Sequence, residues 1–274
     1  MPLSSADCDY ICRLVLERSA IALDLKKQYL IEQRLEQVAQ RQKLSSVAAL
    51  VTELRRLPSY HLLYREVVEA MTTNETSFFR DQHPFEALRK NLLPELISLR
   101  AATRTLNLWC AASSSGQEPY SLVMLIREHF PELAAWTVNF IATDLSREML
   151  DRARAGIFTQ TEIGRGLPPS LLQKYFDRQG EQYQIRADLR RQVQFRELNL
   201  AEPWQTMPPM DLILMRNVLI YFTVEKKREI FARLRRQLRP DGYLMLGSAE
   251  TTLNIDPAFE RVQFDQAACY RLTT

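Results

Sequence analysis

From residue 105 onward the chain alternates short apolar runs with stretches of helical periodicity, and this limits the possible fold more than any other feature. The strand candidates are Leu106–Ala111, Val138–Thr143, Val193–Asn199, Asp211–Met215 and Tyr243–Gly247. Between them lie helical segments at Tyr120–Phe130, Arg147–Arg154 and Val224–Leu238. Strands joined by helices at this spacing predict an α/β fold, a mostly parallel, doubly wound sheet with helices on its faces. In such sheets ligands bind at the carboxyl ends of the strands, near the first strand–helix turn.

Two regions depart from that rhythm. Residues 157–192 hold a helix begun by proline, Pro168 to Phe176, and a polar alternating run, Tyr183 to Ala187. These predict an inserted small antiparallel β-subdomain. The stretch before residue 70 reads as helices only. Apolar residues recur at helical spacing (Ile11, Leu14, Val15; Leu30, Ile31, Leu35, Val38; Val47, Leu50, Leu54), and no glycine occurs in it. MTTNETSFFRD, rich in Thr, Asn and Ser, then reads as a linker leading into a helix at Pro84–Leu99. The expected organisation is a small all-helical domain over 1–70, a linker and helix over 71–104 that complete the site, and the sheet domain over 105–274 with its insert at about 157–192.

A hydrophobic fraction of 46% and a charged fraction of 25% are those of a globular chain, not a disordered one. A net charge of +3 is too small to argue by itself for nucleic acid. Cys8, Cys12, Cys110 and Cys269 have neither zinc nor redox spacing, and three scattered histidines (His61, His83, His129) leave little material for a metal site. No run of about 18 apolar residues occurs, and MPLSSADCDY has no basic region followed by an apolar core. The expectation is a cytoplasmic protein without membrane insertion.

The chemistry sits at the strand tips. The first strand leads into WCAASSSGQEPYS, where small residues from Ala111 to Gly116 let backbone approach a ligand and Pro119 starts a helix. With one glycine this is not the GxGxxG of dinucleotide binding, which counts against a dehydrogenase and permits a cofactor without pyrophosphate. Glu118 can pair with a cationic group on a ligand, or can be an ordinary acidic helix start. Asp144, at the end of FIATDLS, is placed to accept both ribose hydroxyls of an adenosine cofactor. It could instead cap the next helix, but Ser146 is available for that role. Asn199 ends the third strand, where its amide could read an adenine edge or make a turn. The fourth strand runs into RNVLIYF, with Arg216, Asn217 and Tyr221 at or beyond its tip. RPDG reads as the turn before the fifth.

Together these tips resemble a class I methyltransferase. TTNETSFFRD, WCAASSSGQEPYS, FIATDLS, RELNL and RNVLIYF, in that order, resemble the CheR family of chemoreceptor glutamate methyltransferases, over roughly residues 10–272. The resemblance implies S-adenosylmethionine as cofactor and glutamate side chains of bacterial chemoreceptors as methyl acceptors. It implies that Asn74, Thr76 and Arg80 line the cofactor and acceptor site, and that Glu118 holds the methionine part and Asp144 the ribose. Asn199 and Leu200 would flank the adenine, Arg216 and Asn217 would close the pocket, and Arg80 and Tyr221 would face the methyl group.

Lys27, Arg34 and Arg41 recur every seven residues beside the apolar stripe of Ile31, Leu35 and Val38. The resemblance implies that this basic face docks on the acidic helices of receptors; a solvated face is the plain alternative. Some family members use the strand-bearing insert to grip a peptide at the receptor's carboxyl terminus by adding a strand to an edge. Here the DRQGEQ stretch between Phe176 and Tyr183 is short, so no dependence on a carboxyl-terminal pentapeptide is expected. A monomer is expected, with no nucleic-acid partner. Two rivals stay open: a nucleic-acid methyltransferase, which in its amino-methylating form would usually carry an Asn/Asp-Pro-Pro-aromatic motif where this chain has RNVLIYF, and a cofactor-binding signalling scaffold without turnover.

Overall fold

The computed structural model describes residues 3–25 and 28–273. The chain forms two compact units. One holds residues 1–73 with the short segments 199–203 and 221–226; the other holds 74–198, 204–220 and 227–274.

The first unit is built on helices α1 (Ser5–Ser19), α2 (Gln28–Arg41), α3 (Val47–Arg56) and α4 (Leu62–Ala70). Their starts follow from local chemistry. The Ser4 hydroxyl accepts from the Asp7 N–H and the Ser46 hydroxyl from the Ala49 N–H, each satisfying a free helix donor. The predicted apolar stripes meet in one core, where Ile11, Val15, Leu35, Val38, Leu50 and Leu54 are fully buried. The two short segments belong here: Ile21 bridges Phe222 in antiparallel fashion, and the Ala22 N–H donates to the Tyr221 carbonyl at 3.1 Å.

The second unit begins with a helical run that sequence reads as one helix. It is α5 (Gln82–Ala87), a wide π turn over Leu88–Leu92, and α6 (Leu93–Arg100). Pro94 is the cause. It has no N–H, and its ring would strike the carbonyl four residues back, so the helix widens by a residue just ahead of it.

The sheet follows in chain order as β1 (Thr105–Ala111), α7 (Gln117–His129), β2 (Thr137–Asp144), α8 (Arg147–Ala155), the insert, β6 (Val193–Glu197), β7 (Met210–Met215), α12 (Val224–Gln237), β8 (Leu238–Leu246), β9 (Phe259–Phe264) and β10 (Ala267–Leu272). The insert carries β3 (Ile157–Thr159), α9 (Gln160–Gly164), α10 (Pro169–Tyr175), β4 (Phe176–Gln179), β5 (Gln182–Ile185) and α11 (Ala187–Arg190). Strand order is β6-β2-β1-β7-β8-β10-β9, parallel from β6 to β8, with β10 and β9 antiparallel at one edge. The winding reverses at β1, between β2 and β7, so a crevice opens at the carboxyl end of β1. β7 is buried along its whole length and β1 from Leu106 on, as strands covered on both faces must be. This is the class I methyltransferase arrangement expected above, with the helical unit and the antiparallel insert β3-β5-β4 also present.

Two boundaries differ from the sequence reading. RPDG is not a turn: β8 starts at Leu238 and runs through it in extended form. Asp211, fully buried, holds Arg100 at 2.6 Å and Arg239 at 3.1 Å, while Asp241 pairs with Arg100. That network pins the segment alongside β7, with a register shift between Met210 and Leu212. β6 in turn stops at Glu197, and Asn199 lies in the turn that follows. No helix among the described residues is long and apolar enough to cross a membrane.

Candidate functional site

The turn after β1 is wound by three residues in the left-handed region, Ala112 (φ 54°), Ser114 (φ 49°) and Gly116 (φ 94°). For the two that carry side chains this costs roughly 1–3 kcal/mol each, a strain that tends to persist where function needs the shape. A Cβ on Gly116 would lie 3.0 Å from the Ala153 Cβ, so α8 packs close under the turn. Asp144, buried at the tip of β2, accepts from the Ser114 N–H on Oδ2 (2.8 Å) and from the Ser146 N–H on Oδ1 (2.9 Å). The Ser146 hydroxyl caps α8. Asp144 therefore ties the first two strand tips together. Beside it the Ser113 hydroxyl is buried with no hydrogen-bond partner.

Glu118, in the first turn of α7, faces Arg216 from the tip of β7. Arg216 Nη1 donates to Glu118 Oε1 at 2.5 Å, and Nη2 donates to Asp81 Oδ2 at 2.9 Å and to the Arg80 carbonyl at 3.0 Å. The guanidinium is 2% exposed, Glu118 13% and Asp81 44%. The other Glu118 oxygen accepts from the Cys110 thiol at 3.0 Å. Complete burial, then the adjacent Glu118 charge, push that thiol well above its ordinary value, so Cys110 is a neutral donor and not a nucleophile. One guanidinium shared by two carboxylates leaves a net negative charge, and Arg216 Nε is buried without a partner.

The segment 74–81 is stitched to this turn. The Ser114 hydroxyl donates to the Asn74 carbonyl (2.9 Å), and the Phe79 N–H donates to the Ser121 hydroxyl (2.9 Å). Phe79 and Asp81 are left-handed, at φ 47° and 57°. Phe78 is fully buried against Phe158 and Phe176 of the insert, at ring distances of 5.0 and 5.7 Å. Arg80 and Thr76 stay half-buried, and Arg80 Nη1 donates to the Glu75 carbonyl at 2.9 Å.

Glu250 was not singled out from sequence, and it organises the β7 tip. Its Oε1 accepts from the N–H groups of Val218 (2.9 Å), Leu219 (2.6 Å) and Ile220 (3.3 Å). Its Oε2 accepts from Asn217 and Gly247, both at 2.7 Å. Asn217 is left-handed (φ 58°), and a Cβ on Gly247 would lie 2.8 Å from the Asn217 N. The available signal was an acidic residue three positions past a glycine at a strand end.

In the sheet unit the site residues expected from sequence fall into three hydrogen-bonded clusters: Asn74 and Asp144 around Ser114, Arg80 and Glu118 around Arg216, and Asn217 on Glu250. Asn199, Leu200 and Tyr221 belong to the helical unit. There the Asn199 side chain is engaged: Nδ2 donates to the Arg18 carbonyl (2.7 Å) and Glu202 Oε1 (3.1 Å), and Oδ1 accepts from the Ala201 N–H. Leu200 is buried, and Tyr221, half-buried, lines a cavity of about 220 Å³ with Arg34, Met71 and Thr73. The 27/34/41 stripe is not three equivalent charges. Lys27 lies outside the described residues, Arg41 is exposed, and Arg34 turns inward to donate to the Met71 carbonyl at 2.8 Å. Among the described residues no three His, Cys, Asp or Glu side chains stand close enough to hold a metal ion.

Two family descriptions match the chain. "CheR methyltransferase, SAM binding domain" matches residues 74–268, and "CheR methyltransferase, all-alpha domain" matches residues 6–72. Chemotaxis protein methyltransferase 1 of Pseudomonas aeruginosa is 42% identical, over 98% of this chain and 99% of that protein. Chemotaxis protein methyltransferase 1 of Vibrio cholerae is 38% identical, over 98% of each. Chemotaxis protein methyltransferase Cher2 of Pseudomonas putida is 37% identical, over 94% of this chain and 95% of that protein.

Proposed function

The chain belongs to the CheR methyltransferase family, S-adenosylmethionine-dependent enzymes of chemotaxis, and on that premise we propose that it converts glutamate side chains in the cytoplasmic helical domains of bacterial chemoreceptors to methyl esters. The observation that carries this reading is the charge balance of the β1 crevice. Glu118 and Asp81 share the one guanidinium of Arg216, with the buried carboxylate of Asp144 on the neighbouring tip. A cofactor bearing an ammonium and a sulfonium fits that negative excess, and the partnerless Ser113 hydroxyl and Arg216 Nε are polar atoms that a bound ligand would satisfy.

Glu118 is the residue to receive the ammonium, and Asp144 the ribose hydroxyls, in addition to the backbone donors it already holds. Asn74 and Thr76 line this site, and Arg216 with Asn217 closes it. When bound, the cofactor supplies a methyl group made electrophilic by its sulfonium. The acceptor glutamate, with a reference pKa near 4.3, is already an anion at neutral pH and needs no general base. Joining an anion to a cation consumes charge, so the protein's part is to exclude water and align the reacting atoms. Arg80 orients the acceptor carboxylate; its side chain donates only to the Glu75 carbonyl among the described residues. Too firm a grip would stabilise the ground state and slow transfer.

Labelled methyl transfer from S-adenosylmethionine to purified receptor cytoplasmic fragments tests the reading, with RNA as the competing acceptor. A base-labile label on the fragment is expected. A base-stable label, or label on RNA alone, rejects ester formation on receptors. We propose further that the reaction needs no receptor carboxyl-terminal pentapeptide. β4 and β5 are joined by the two-residue turn Gly180-Glu181, which leaves little surface beside them to cradle a peptide. Calorimetric titration of the free pentapeptide is expected to give no heat; low-micromolar binding would overturn this.

A further inference from the structure

Two clefts of the sheet unit share a wall. One, of about 680 Å³, is lined by Asp81, His83, Gly247, Glu250, Arg261 and Tyr270, among others. The other, of about 730 Å³, includes Arg228, Leu253, Asn254, Asp256, Arg261 and Tyr270. Because Thr251, Arg261 and Tyr270 line both, they form one groove. Its inner end is part of the candidate site, since Asp81 holds Arg216 and Glu250 holds the backbone of Asn217.

Along the outer part of this groove two cations stand without a partner among the described residues. Each carboxylate in its walls is already engaged: Asp81 by Arg216 at 2.9 Å, Glu250 by backbone N–H groups, and Asp256 by Arg235 at 3.1 Å. Arg228 on α12 and Arg261 on β9 are exposed, and neither forms an ion pair or side-chain hydrogen bond with any described residue. Leu253, in the same wall as Arg228, is 71% exposed. Two unanswered cations beside an exposed leucine are complementary to an amphipathic acidic helix, whose carboxylates and apolar side chains recur three and four residues apart on one face.

We propose that this groove docks the acidic helical segment flanking the acceptor glutamate, its carboxylates meeting Arg228 and Arg261 and its apolar side meeting Leu253. The proposal rests on the methyl-acceptor reading above and adds to it a specificity surface on the sheet unit. Exposed charges of this kind act mainly through encounter and register, so their signature is in KM and its salt dependence.

The test compares the parent enzyme with R228E/R261E and, as a gentler change, R228Q/R261Q. Steady-state kinetics on a receptor cytoplasmic fragment are run at low and high salt, with direct binding of the fluorescently labelled fragment followed by anisotropy. S-adenosylhomocysteine affinity, measured by calorimetry, reports that the cofactor site is intact. The charge reversal should raise KM and the fragment Kd about tenfold or more at low salt, and much less at high salt. The turnover number and S-adenosylhomocysteine affinity should stay within about twofold, with the glutamine pair intermediate. Unchanged KM and Kd overturn the proposal, as does a KM rise of the same size at both salt concentrations. A parent dimer that the same substitutions dissociate assigns the groove to a second copy and also overturns it. Whether the parent methylates the fragment at all is read separately and bears on the function, while the anisotropy measurement decides docking without turnover.

Discussion

The Glu118–Arg216–Asp81 cluster gives the sharpest prediction. Arg216→Met keeps the bulk of the buried stem but removes the cation that neutralises Glu118, a carboxylate only 13% exposed. The Cys110 thiol is a weak donor and cannot replace it. Removing one partner of a buried pair costs roughly 3–5 kcal/mol, because the other charge stays desolvated. Asp81, nearly half exposed, should add less than about 1 kcal/mol, since water takes over its solvation. With an m-value of roughly 2–3 kcal/mol/M in urea, the midpoint should fall by about 1–2 M.

The chain offers a clean probe for this measurement. Trp109, Trp136 and Trp204, its three tryptophans, all lie in the sheet unit, so intrinsic fluorescence follows the unit that holds the cluster. The double variant R216M/E118Q removes both charges and should be more stable than R216M alone, with a coupling energy of roughly 1–3 kcal/mol. If R216M costs less than about 1 kcal/mol, or if the two substitutions simply add, the pair is not the desolvated contact its geometry implies.

Four other outcomes follow from the same contacts. Glu250→Gln turns one acceptor oxygen into a donor facing backbone N–H groups and should lower stability by about 3 kcal/mol in urea unfolding; an unchanged midpoint would mean the β7 tip holds itself. Asp144→Ala should weaken S-adenosylhomocysteine binding by about 1–3 kcal/mol in calorimetry, and unchanged affinity would remove its ribose assignment. Arg80→Ala should lower turnover on receptor fragments more than it weakens cofactor binding, whereas full turnover would make Arg80 structural. The hydrogen bonds from Arg100 hold the Asp241 carboxyl below its ordinary 3.8, so its contribution to stability is complete above that value and fades as pH falls below it. Asp241→Asn should therefore be less stable than the parent near neutrality, with the gap closing in acid; a gap that is constant with pH would contradict this.

Much of the fold could be read from the sequence because its signals are local. Leu106–Ala111 and Asp211–Met215 are near-continuous apolar runs, and a strand buried on both faces needs just that. The helical unit announced itself through residues three and four apart, which do meet in its core. Two features failed for local reasons of their own. The helix read at Pro84–Leu99 contains Pro94 well inside it, and the run widens into a π turn just ahead of that residue. RPDG has turn composition, yet its two charged residues are drawn into a buried network with Asp211, more than 20 positions earlier in the chain. Long-range ion pairing overrode local propensity there.

The site was legible in position but not in pairing. That Asp144, Glu118 and Arg216 sit at strand tips follows from topology, because parallel strands bring successive carboxyl ends to one edge. What each side chain touches depends on register and on backbone shapes with no compositional mark. Phe79, Ala112, Ser114 and Asn217 all take the left-handed conformation without being glycine. Propensity allows it at Asn217 but would not place it at Phe79, Ala112 or Ser114, and each is held there by contacts from elsewhere in the chain: Ser121 for Phe79, Thr143 and Asp144 around Ala112 and Ser114, Glu250 for Asn217. Glu118 could be read as a ligand for a cation, but not as the partner of an arginine 98 positions away that is itself shared with Asp81. The negative excess that suits a cationic cofactor therefore belongs to the cluster and to no single residue. It exists only once left-handed backbone at Phe79, Asp81, Ala112, Ser114 and Asn217 has brought three strand tips and the 74–81 segment together.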